Sequence, residues 1–298
     1  MKKIKKLIVN FLNRIMTHTE IKESIDILER KHARINQINH LLIPDVLPLD
    51  KHTERALKKI NPDNIYQNSN TKISKNDLMF LFWLHHTGTI EHALLGYLKS
   101  GLEQADSMRI LLMKIGFDLN TVKTLDFASG HGRVSRYFKN YLPIENIYIS
   151  DIKINAVEFQ SNNFNYQGFL ATSNPSLLNI PMKFDFIIVS SLFTHLNRKL
   201  FGDWINTLGN LLKENGVLSF SIHLISTHEP LFTYAERSEE DLFPETEDSL
   251  SGQNIYGLTQ ISLESLNSLL SENLKFNFDI IDQRGWGDSQ TLISLRKK

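Results

Sequence analysis

Two carboxylates and two glycines mark the stretch of this sequence that is best suited to chemistry. Asp126 lies near the end of an apolar run typical of a buried β-strand, and a sharp turn over Gly130 and Gly132 follows. Glycine lets the backbone approach a ligand that a Cβ would exclude, and a helix after the turn would direct unpaired N–H groups at it. A second short apolar run ends in Asp151, where a carboxylate can accept both hydroxyls of a ribose. The pattern predicts a turn that binds a nucleotide cofactor.

The residues around this turn favour S-adenosylmethionine (SAM) over NAD as the cofactor. A dinucleotide site uses a third glycine for close contact between helix and strand, and Ser135 occupies that position. Asp126 would repel a pyrophosphate, whereas it would attract the ammonium group of an amino acid. We therefore expect a nucleotide that carries an amino acid.

From about Asn76 to its C-terminus the chain resembles the class I SAM-dependent methyltransferases. The resemblance rests on element order, on the turn just described and on three further segments, at residues 184–196, 215–223 and 285–296. It implies an α/β fold with a doubly wound, mostly parallel, seven-stranded sheet, in which residues 291–296 form the antiparallel strand. One departure is Ala128, because the family usually has glycine there, and a positive φ at this position would strain alanine.

The resemblance also implies which residues hold SAM. All of them lie in the turn or at the carboxyl end of a predicted strand, where parallel sheets bind ligands. They are Asp126, Ala128, Ser129, Gly130, Gly132, Asp151, Ile152 and Ser190. Helices before the first strand often line the substrate pocket in this family, which adds weaker candidates: His85, His86, Thr87, Gly88, Tyr97 and Gly101.

Two histidines are the best-placed candidates for a catalytic base. His195 and His223 follow the predicted fourth and fifth strands, and His131 in the turn is a third candidate. An imidazole suits the removal of a proton from a hydroxyl or a protonated amine as the methyl group arrives. The alternative is structural, with His195 orienting the start of a helix and His223 bonding to backbone.

The sequence divides into two parts and an insertion. Residues 1–75 predict a helical N-terminal extension, and residues 76–298 the methyltransferase domain, with a boundary in the polar stretch after Pro62. Residues 229–252 form an acidic insertion, which is either a lid over the site or a solvated loop. A short heptad pattern from Ile21 to Ile35 leaves open a helical hairpin or an arm that forms a homodimer.

Composition restricts the partners and the compartment. Basic and acidic residues both number 33, so the formal net charge of zero disfavours broad binding to nucleic acid. The chain has no cysteine, which excludes disulfides and thiolate catalysis and points to the cytoplasm. Residues 1–15 combine an apolar helical stripe with four lysines, which fits either a helix on an anionic membrane surface or packing on protein.

The acceptor of the methyl group is expected to be a small molecule, a sugar or a lipid-linked sugar. Residues 190–193 lack the Asn-Pro-Pro-type turn that amino-group methyltransferases carry, and Asp185 lies at the wrong strand end for a catalytic metal site. The pattern around the turn also resembles bacterial methyltransferases that accompany glycan assembly. Two other interpretations stay open at this point: an NAD-dependent oxidoreductase or epimerase, and a scaffold with this fold that does not catalyse.

Overall fold

A computed structural model of the chain describes residues 51–60, 69–227, 229–236, 257–287 and 289–298. All of these residues belong to one compact unit, residues 45–298. The predictions for the apolar stripe at residues 1–15 and for the heptad pattern therefore lie outside the described residues, as does most of the acidic insertion.

Three helices precede the first strand. They are α1 (Lys51–Ile60), α2 (Leu78–Thr87) and α3 (Ile90–Lys114). Asp77 caps α2 by accepting the backbone N–H groups of Met79 and Phe80, and the left-handed Gly88 ends it. Thr89 then caps α3. The helices that the resemblance implies before the first strand are therefore present.

Strands and helices then alternate along the chain. Their order is β1 (Thr124–Phe127), β2 (Ile147–Asp151), α4 (Ile154–Phe164), β3 (Gln167–Leu170), β4 (Phe184–Val189), α5 (Arg198–Asn210), β5 (Leu212–Ile225), β6 (Phe232–Glu236), β7 (Gly257–Ser262), α6 (Leu263–Asn273), β8 (Phe278–Trp286) and β9 (Gln290–Lys297).

The predicted seven-stranded sheet is present and is extended by a hairpin. Strands β3, β2, β1, β4 and β5 are parallel neighbours in that order, and β9 runs antiparallel between β5 and β8. The described part of the sheet has nine strands rather than the predicted seven, because β7 pairs with the last residues of β5 and β6 pairs with β7. Residues 232–236 of the predicted insertion are thus a strand.

Apolar side chains on the two faces of this sheet form two cores, as the alternation along β4 requires. Ile187 and Val189 point to the core that α5 and α6 cover, whereas Phe186 and Ile188 point to the core that α3 and α4 cover. The fold class inferred from the sequence, α/β with helices on both faces of a mostly parallel sheet, is confirmed. In the ranges given above, no helix combines the length and the apolar character needed to cross a bilayer.

Candidate active site

The carboxyl ends of the parallel strands bring the predicted acidic residues to one edge of the sheet. Phe127, the last residue of β1, pairs with Ser150 of β2 on one side and with Val189 of β4 on the other. Asp126, Asp151 and Ser190 therefore lie within one residue of these aligned strand ends. Register alone brings together side chains that are far apart in the sequence.

The turn after β1 has the backbone conformation that glycine favours at three positions. Gly130 and Gly132 have φ of 56° and 79°, and Ala128 has φ of 57°. A Cβ in this left-handed region costs about 1–2 kcal/mol, so the alanine at the family's glycine position is strained. A Cβ built on Gly130 would meet no atom within 4 Å among the described residues, and this open space can admit a ligand against the backbone.

Asp151 fastens the turn to the end of β2. One of its carboxylate oxygens, Oδ2, accepts the N–H of Gly130 at 2.8 Å, and the other, Oδ1, accepts the N–H of Lys153 at 2.9 Å. The carboxyl group is buried; burial raises its pKa, while the two backbone N–H groups act to lower it. Each oxygen keeps a second lone pair, so the group can still accept two hydroxyls.

The helix predicted directly after this turn is a 3₁₀ helix and not an α-helix. Residues 135–140 form a short 3₁₀ helix, and the turn is held instead by the side-chain amide of Gln160 in α4. Its Nε2 donates to Ser129 Oγ at 2.7 Å and to the carbonyl of Gly130 at 2.9 Å, while its Oε1 accepts from Ser135 Oγ at 2.6 Å. Nothing in the sequence pattern distinguishes Gln160 from other polar residues in helices.

Asp126 lies beneath the turn, on the side of the sheet that α3 covers. The side chain is 2% exposed, and burial raises the pKa of its carboxyl to about 7. The Ser135 hydroxyl and the positive charge of Arg133 lower this pKa, and the negative charge of Asp151 raises it further. Near neutral pH the protonated and ionised forms of this carboxyl group therefore coexist, whereas an ordinary aspartate is fully ionised.

A cavity with a volume of about 70 Å³ opens beside Asp151. Of the predicted cofactor residues, Ala128, Asp151 and Ile152 line it, and Thr172, Leu196 and Trp204 contribute to its mostly apolar wall. Its combination of apolar walls with one carboxylate fits an adenosine group whose ribose bonds to Asp151. The predicted residues Ser129, Gly130 and Gly132 form the turn beside this cavity.

The two candidate histidines lie in different places at the sheet edge. Nδ1 of His195 bonds to the carbonyl of Gly257 at the start of β7, at 2.8 Å. Nδ1 of His223 bonds to the carbonyl of Ser289 in the turn between β8 and β9, at 3.2 Å. A carbonyl only accepts, so in each neutral ring Nδ1 carries the proton and Nε2 has the lone pair that a base requires. His131 is buried, which lowers its pKa.

The end of β4 contains another strained residue. Ser191 has φ of 66°, its N–H donates to Ser221 Oγ at 2.7 Å, and its hydroxyl accepts from Gln290 Nε2 at 3.1 Å. Next to it, Ser190 Oγ is buried and has no hydrogen-bond partner within the described part of the chain. Strain and unsatisfied polar groups collect at functional sites, which supports the prediction that Ser190 belongs to this site.

Sequence reasoning missed a buried network that ties the turn to the N-terminal helices. Arg136 is fully buried; its guanidinium donates to Tyr97 Oη at 2.9 Å and to the carbonyls of Asn70 and Lys72. Tyr97 in turn donates to Asp77 Oδ2 at 2.5 Å. The Tyr97 hydroxyl is therefore buried, whereas many tyrosines whose ring lies in the core extend their hydroxyl to the surface. Of the weaker candidates on these helices, Gly101 permits contact with the turn, because its Cβ would lie 2.1 Å from the carbonyl oxygen of Arg133.

Comparison with known proteins matches this region to an enzyme class. Residues 125–218, from β1 into β5, match the family model described as a methyltransferase domain. These residues are therefore similar to a methyltransferase domain, and the prediction of a methyltransferase is confirmed at this level. No curated protein sequence matches the chain significantly.

Solved structures similar to the methyltransferase domain share little sequence with it. A SAM-dependent methyltransferase from Clostridium acetobutylicum ATCC 824 is 15% identical, with a TM-score of 0.45, over 65% of this chain and 90% of that one. Magnesium protoporphyrin IX methyltransferase from Synechocystis PCC 6803 is 14% identical, with a TM-score of 0.44, over 84% and 93%. An amino pentose methyltransferase from Micromonospora echinaspora is 11% identical, with a TM-score of 0.47, over 67% and 92%.

Proposed function

We propose that this chain transfers a methyl group from SAM to a hydroxyl of a sugar or of a related polar small molecule. The observation that carries the proposal is the buried Asp151, which holds the turn at Gly130 while it lines the cavity beside it. When bound, SAM supplies an electrophilic methyl group on its sulfonium. The chain's own residues then have to hold the cofactor, exclude water and position the acceptor.

The two acids and Arg133 divide the binding of the cofactor between them. Asp151 accepts the ribose hydroxyls through the lone pairs that its backbone contacts leave over. Asp126 and Arg133 lie close enough for their charges to interact, and they offer opposite charges to the ammonium and the carboxylate of an amino acid. Ionised Asp126 and Arg133 thus match the amino-acid end of SAM.

A histidine accepts the proton of the acceptor hydroxyl. In the neutral tautomer of His223 and of His195, Nδ1–H is held by a carbonyl, which orients Nε2 as the basic atom. Both histidines stay candidates for the base. A hydroxyl gains nucleophilicity as its proton leaves, so loss of the base should reduce kcat while the affinity for SAM is unchanged.

Calorimetry and labelling test this function. Purified full-length chain is titrated with SAM, S-adenosylhomocysteine and NAD, and is then incubated with methyl-labelled SAM and extracts of bacterial glycans and membrane lipids. We expect binding of the first two compounds only, and label in the glycan or glycolipid fraction. Label confined to protein or RNA would contradict the proposed acceptor, and binding without transfer to any fraction would indicate a scaffold that does not catalyse.

The proposal extends to where the enzyme works. An amphipathic, lysine-rich segment at residues 1–15 would hold the enzyme on the cytoplasmic face of a membrane, where lipid-linked sugars are assembled. We also infer that a second copy of the chain is a partner, in a homodimer formed through residues 21–35. Both are proposed from the sequence, because these residues lie outside the described ranges.

A further inference from the structure

A second cavity opens at the same edge of the sheet and is separate from the cavity beside Asp151. It has a volume of about 320 Å³ and lies between α3 and the turn that joins β8 to β9. Trp83 of α2, Ser100 and Gln104 of α3, and Trp286 and Gly287 of the turn contribute to its wall. We call it the α3 pocket. Its size is that of a site for a small molecule.

The α3 pocket adjoins the cofactor turn. Ser100, in the pocket wall, accepts a hydrogen bond from Arg133 Nη1 at 3.2 Å, and Arg133 directly follows Gly132 of the turn. Arg133 also interacts electrostatically with Asp126, the proposed partner of the amino-acid end of SAM. A ligand in the α3 pocket would therefore lie next to the amino-acid part of the cofactor and its sulfonium, whereas the adenosine cavity lies beside Asp151.

Two residues that line the α3 pocket each have a buried polar atom without a partner among the described residues. Gln104 is 7% exposed and Trp286 is 1% exposed. Across the described ranges, neither Gln104 Oε1 nor Trp286 Nε1 makes a hydrogen bond. Buried polar groups without partners are rare in native proteins and require an explanation. One of these atoms is an acceptor and the other a donor, and a hydroxyl group can bond to both.

The charge and shape of the wall of the α3 pocket restrict which class of ligand can bind there. Lys99 and Glu103 line the α3 pocket and form an ion pair of 3.8 Å, so the wall offers no net charge for an anion such as a phosphate. Trp83 lies directly against the helix at Gly96, where a Cβ would be 2.4 Å from its ring. Two indoles beside amide and hydroxyl groups suit a neutral ligand that has both hydroxyls and an apolar C–H face, as a saccharide ring does.

We propose that the α3 pocket binds the acceptor, a neutral saccharide ring, with Gln104 and Trp286 as its specificity-determining residues. This inference rests on the proposed function and assigns its acceptor site. It also distinguishes between the two candidate bases. His223 bonds to Ser289 in the turn that closes the α3 pocket, whereas His195 bonds to β7. The base of the transfer is then His223.

Indole N–H signals of the labelled full-length chain test binding at this pocket. The chain has three tryptophans, and Trp204 lines the adenosine cavity instead, which makes it an internal control. The probes are methyl glycosides of common hexoses, 6-deoxyhexoses and N-acetylhexosamines, added in the presence of S-adenosylhomocysteine. We expect at least one glycoside to shift the signals of Trp83 and Trp286 while that of Trp204 stays in place. No shift with any glycoside, or a shift at Trp204 alone, would overturn the proposal.

Two variants and a control test the role of the polar atoms. Gln104→Met removes Oε1 and nearly preserves side-chain volume, whereas Trp286→Phe removes Nε1 together with part of the indole ring. Each should raise the Kd for the glycoside and the KM for the acceptor by about five- to ten-fold, and leave the Kd for SAM unchanged. Gln283→Met, at an exposed position in β8, should change none of these constants.

The outcomes separate this proposal from the proposed function. If SAM binds and is turned over but Gln104→Met and Trp286→Phe leave the acceptor KM unchanged, the α3 pocket is not the acceptor site and the proposed function stands. If SAM does not bind at all, the proposed function fails. A glycoside shift at Trp286 in that case would mark a saccharide site and contradict its role as acceptor site. His223→Asn should lower kcat more than His195→Asn, and the reverse order would overturn the assignment of the base.

Discussion

At the scale of single residues, Asp126 and Asp151 differ in how their charge is supported. Asp151 accepts two backbone N–H groups, and these help to keep a buried carboxylate ionised. For Asp126, the Ser135 hydroxyl and the charge of Arg133 lower the pKa less than burial raises it, and the pKa is about 7. We therefore expect Asp151 to act as a fixed acceptor and Asp126 to respond to pH.

Replacing Asp151 with asparagine should weaken the binding of SAM by about 10- to 100-fold, because a charge-assisted acceptor of the ribose hydroxyls and of the Gly130 N–H is lost. Calorimetry with SAM measures this change. The matched control is Asp203→Asn, which removes a carboxylate that pairs with Lys199 on the surface of α5. Equal affinities of the Asp151 variant and the unmodified chain would contradict the proposed role.

The affinity for SAM should rise as the pH rises through about 7, since only the ionised form of Asp126 attracts the ammonium group of the cofactor. Asp126→Asn should lower the affinity at pH about 8 and remove most of this pH dependence. Calorimetric titrations at several pH values distinguish the two chains. An equally steep pH profile in the Asp126→Asn chain would exclude Asp126 as the titrating group.

The same substitution should stabilise the fold at alkaline pH. The folded-state pKa of Asp126 lies above its unfolded value, so the unfolded chain binds fewer protons, and the contribution of Asp126 to stability falls between pH about 4 and about 7. Asparagine does not ionise, so the variant avoids this loss. The free energy of unfolding can then rise by about 4 kcal/mol at pH about 8, since each pKa unit corresponds to about 1.4 kcal/mol. Urea unfolding at pH 5 and pH 8 measures it. A destabilised variant at pH 8 would contradict this account.

At the scale of elements, the cofactor turn is held from two sides. Gln160 of α4 bonds to Ser129, Gly130 and Ser135, and Arg136 connects the segment after the turn to Tyr97 of α3. The helices before β1 therefore share a buried hydrogen-bond network with the turn. A displacement of α3 would change the position of the turn as well as the shape of the α3 pocket.

Tyr97→Phe should destabilise the fold by about 1–3 kcal/mol, because Asp77 and Arg136 each lose a buried hydrogen-bond partner. It should also weaken SAM binding, since Arg136 holds the carbonyl of Gly132 as well. The matched control is Tyr148→Phe in β2, a buried tyrosine outside this network, which should change stability little. Urea unfolding measures both chains, and equal losses would show that the network contributes nothing specific.

Ala128→Gly should stabilise the fold by up to about 1 kcal/mol, because relief of the left-handed strain exceeds the entropy that glycine costs in the unfolded chain. Ala156→Gly in α4 is the matched control. There the backbone is helical, and the same change should destabilise by about 1 kcal/mol. Thermal unfolding of the two variants should move Tm in opposite directions, and a lower Tm for both would exclude strain at Ala128.

At the scale of the whole molecule, charge is balanced overall but uneven along the chain. The 33 basic and 33 acidic residues cancel, while Lys2, Lys3, Lys5 and Lys6 cluster at the start and acidic residues cluster between 236 and 248. Because the net charge is zero, the molecule as a whole exerts little long-range electrostatic attraction on charged ligands or surfaces. Attraction to an anionic surface would have to come from the first segment alone.

The full-length chain should sediment with vesicles that contain anionic phospholipid, and the bound fraction should fall as the salt concentration rises. Replacing Lys2, Lys3, Lys5 and Lys6 with glutamate should abolish this binding, because each lysine contributes about 1 kcal/mol near the membrane surface. Lys58→Glu and Lys59→Glu on α1 provide the control. Binding that persists in the first variant would exclude an electrostatic membrane contact through this segment.

The sequence by itself determined the fold class and the turn, and it named the residues that we propose hold the cofactor. Apolar periodicity predicts strands and helices locally, and the carboxyl ends of parallel strands meet at one edge whatever the rest of the fold does. Asp126, Asp151 and Ser190 could therefore be named from the sequence, and the strain at Ala128 followed from one missing glycine. The hairpin of β6 and β7 was missed because its pairing depends on the distant end of β5.

Only the tertiary structure decided which side chains support and extend this site. Gln160 and Arg136 are polar residues of ordinary segments, and their roles arise from partners that the fold brings to them from other elements. The pKa of Asp126 depends on burial, and the α3 pocket joins Gln104 to Trp286 across the fold. Burial and long-range contact are properties of packing between elements, so no local pattern in the sequence encodes them.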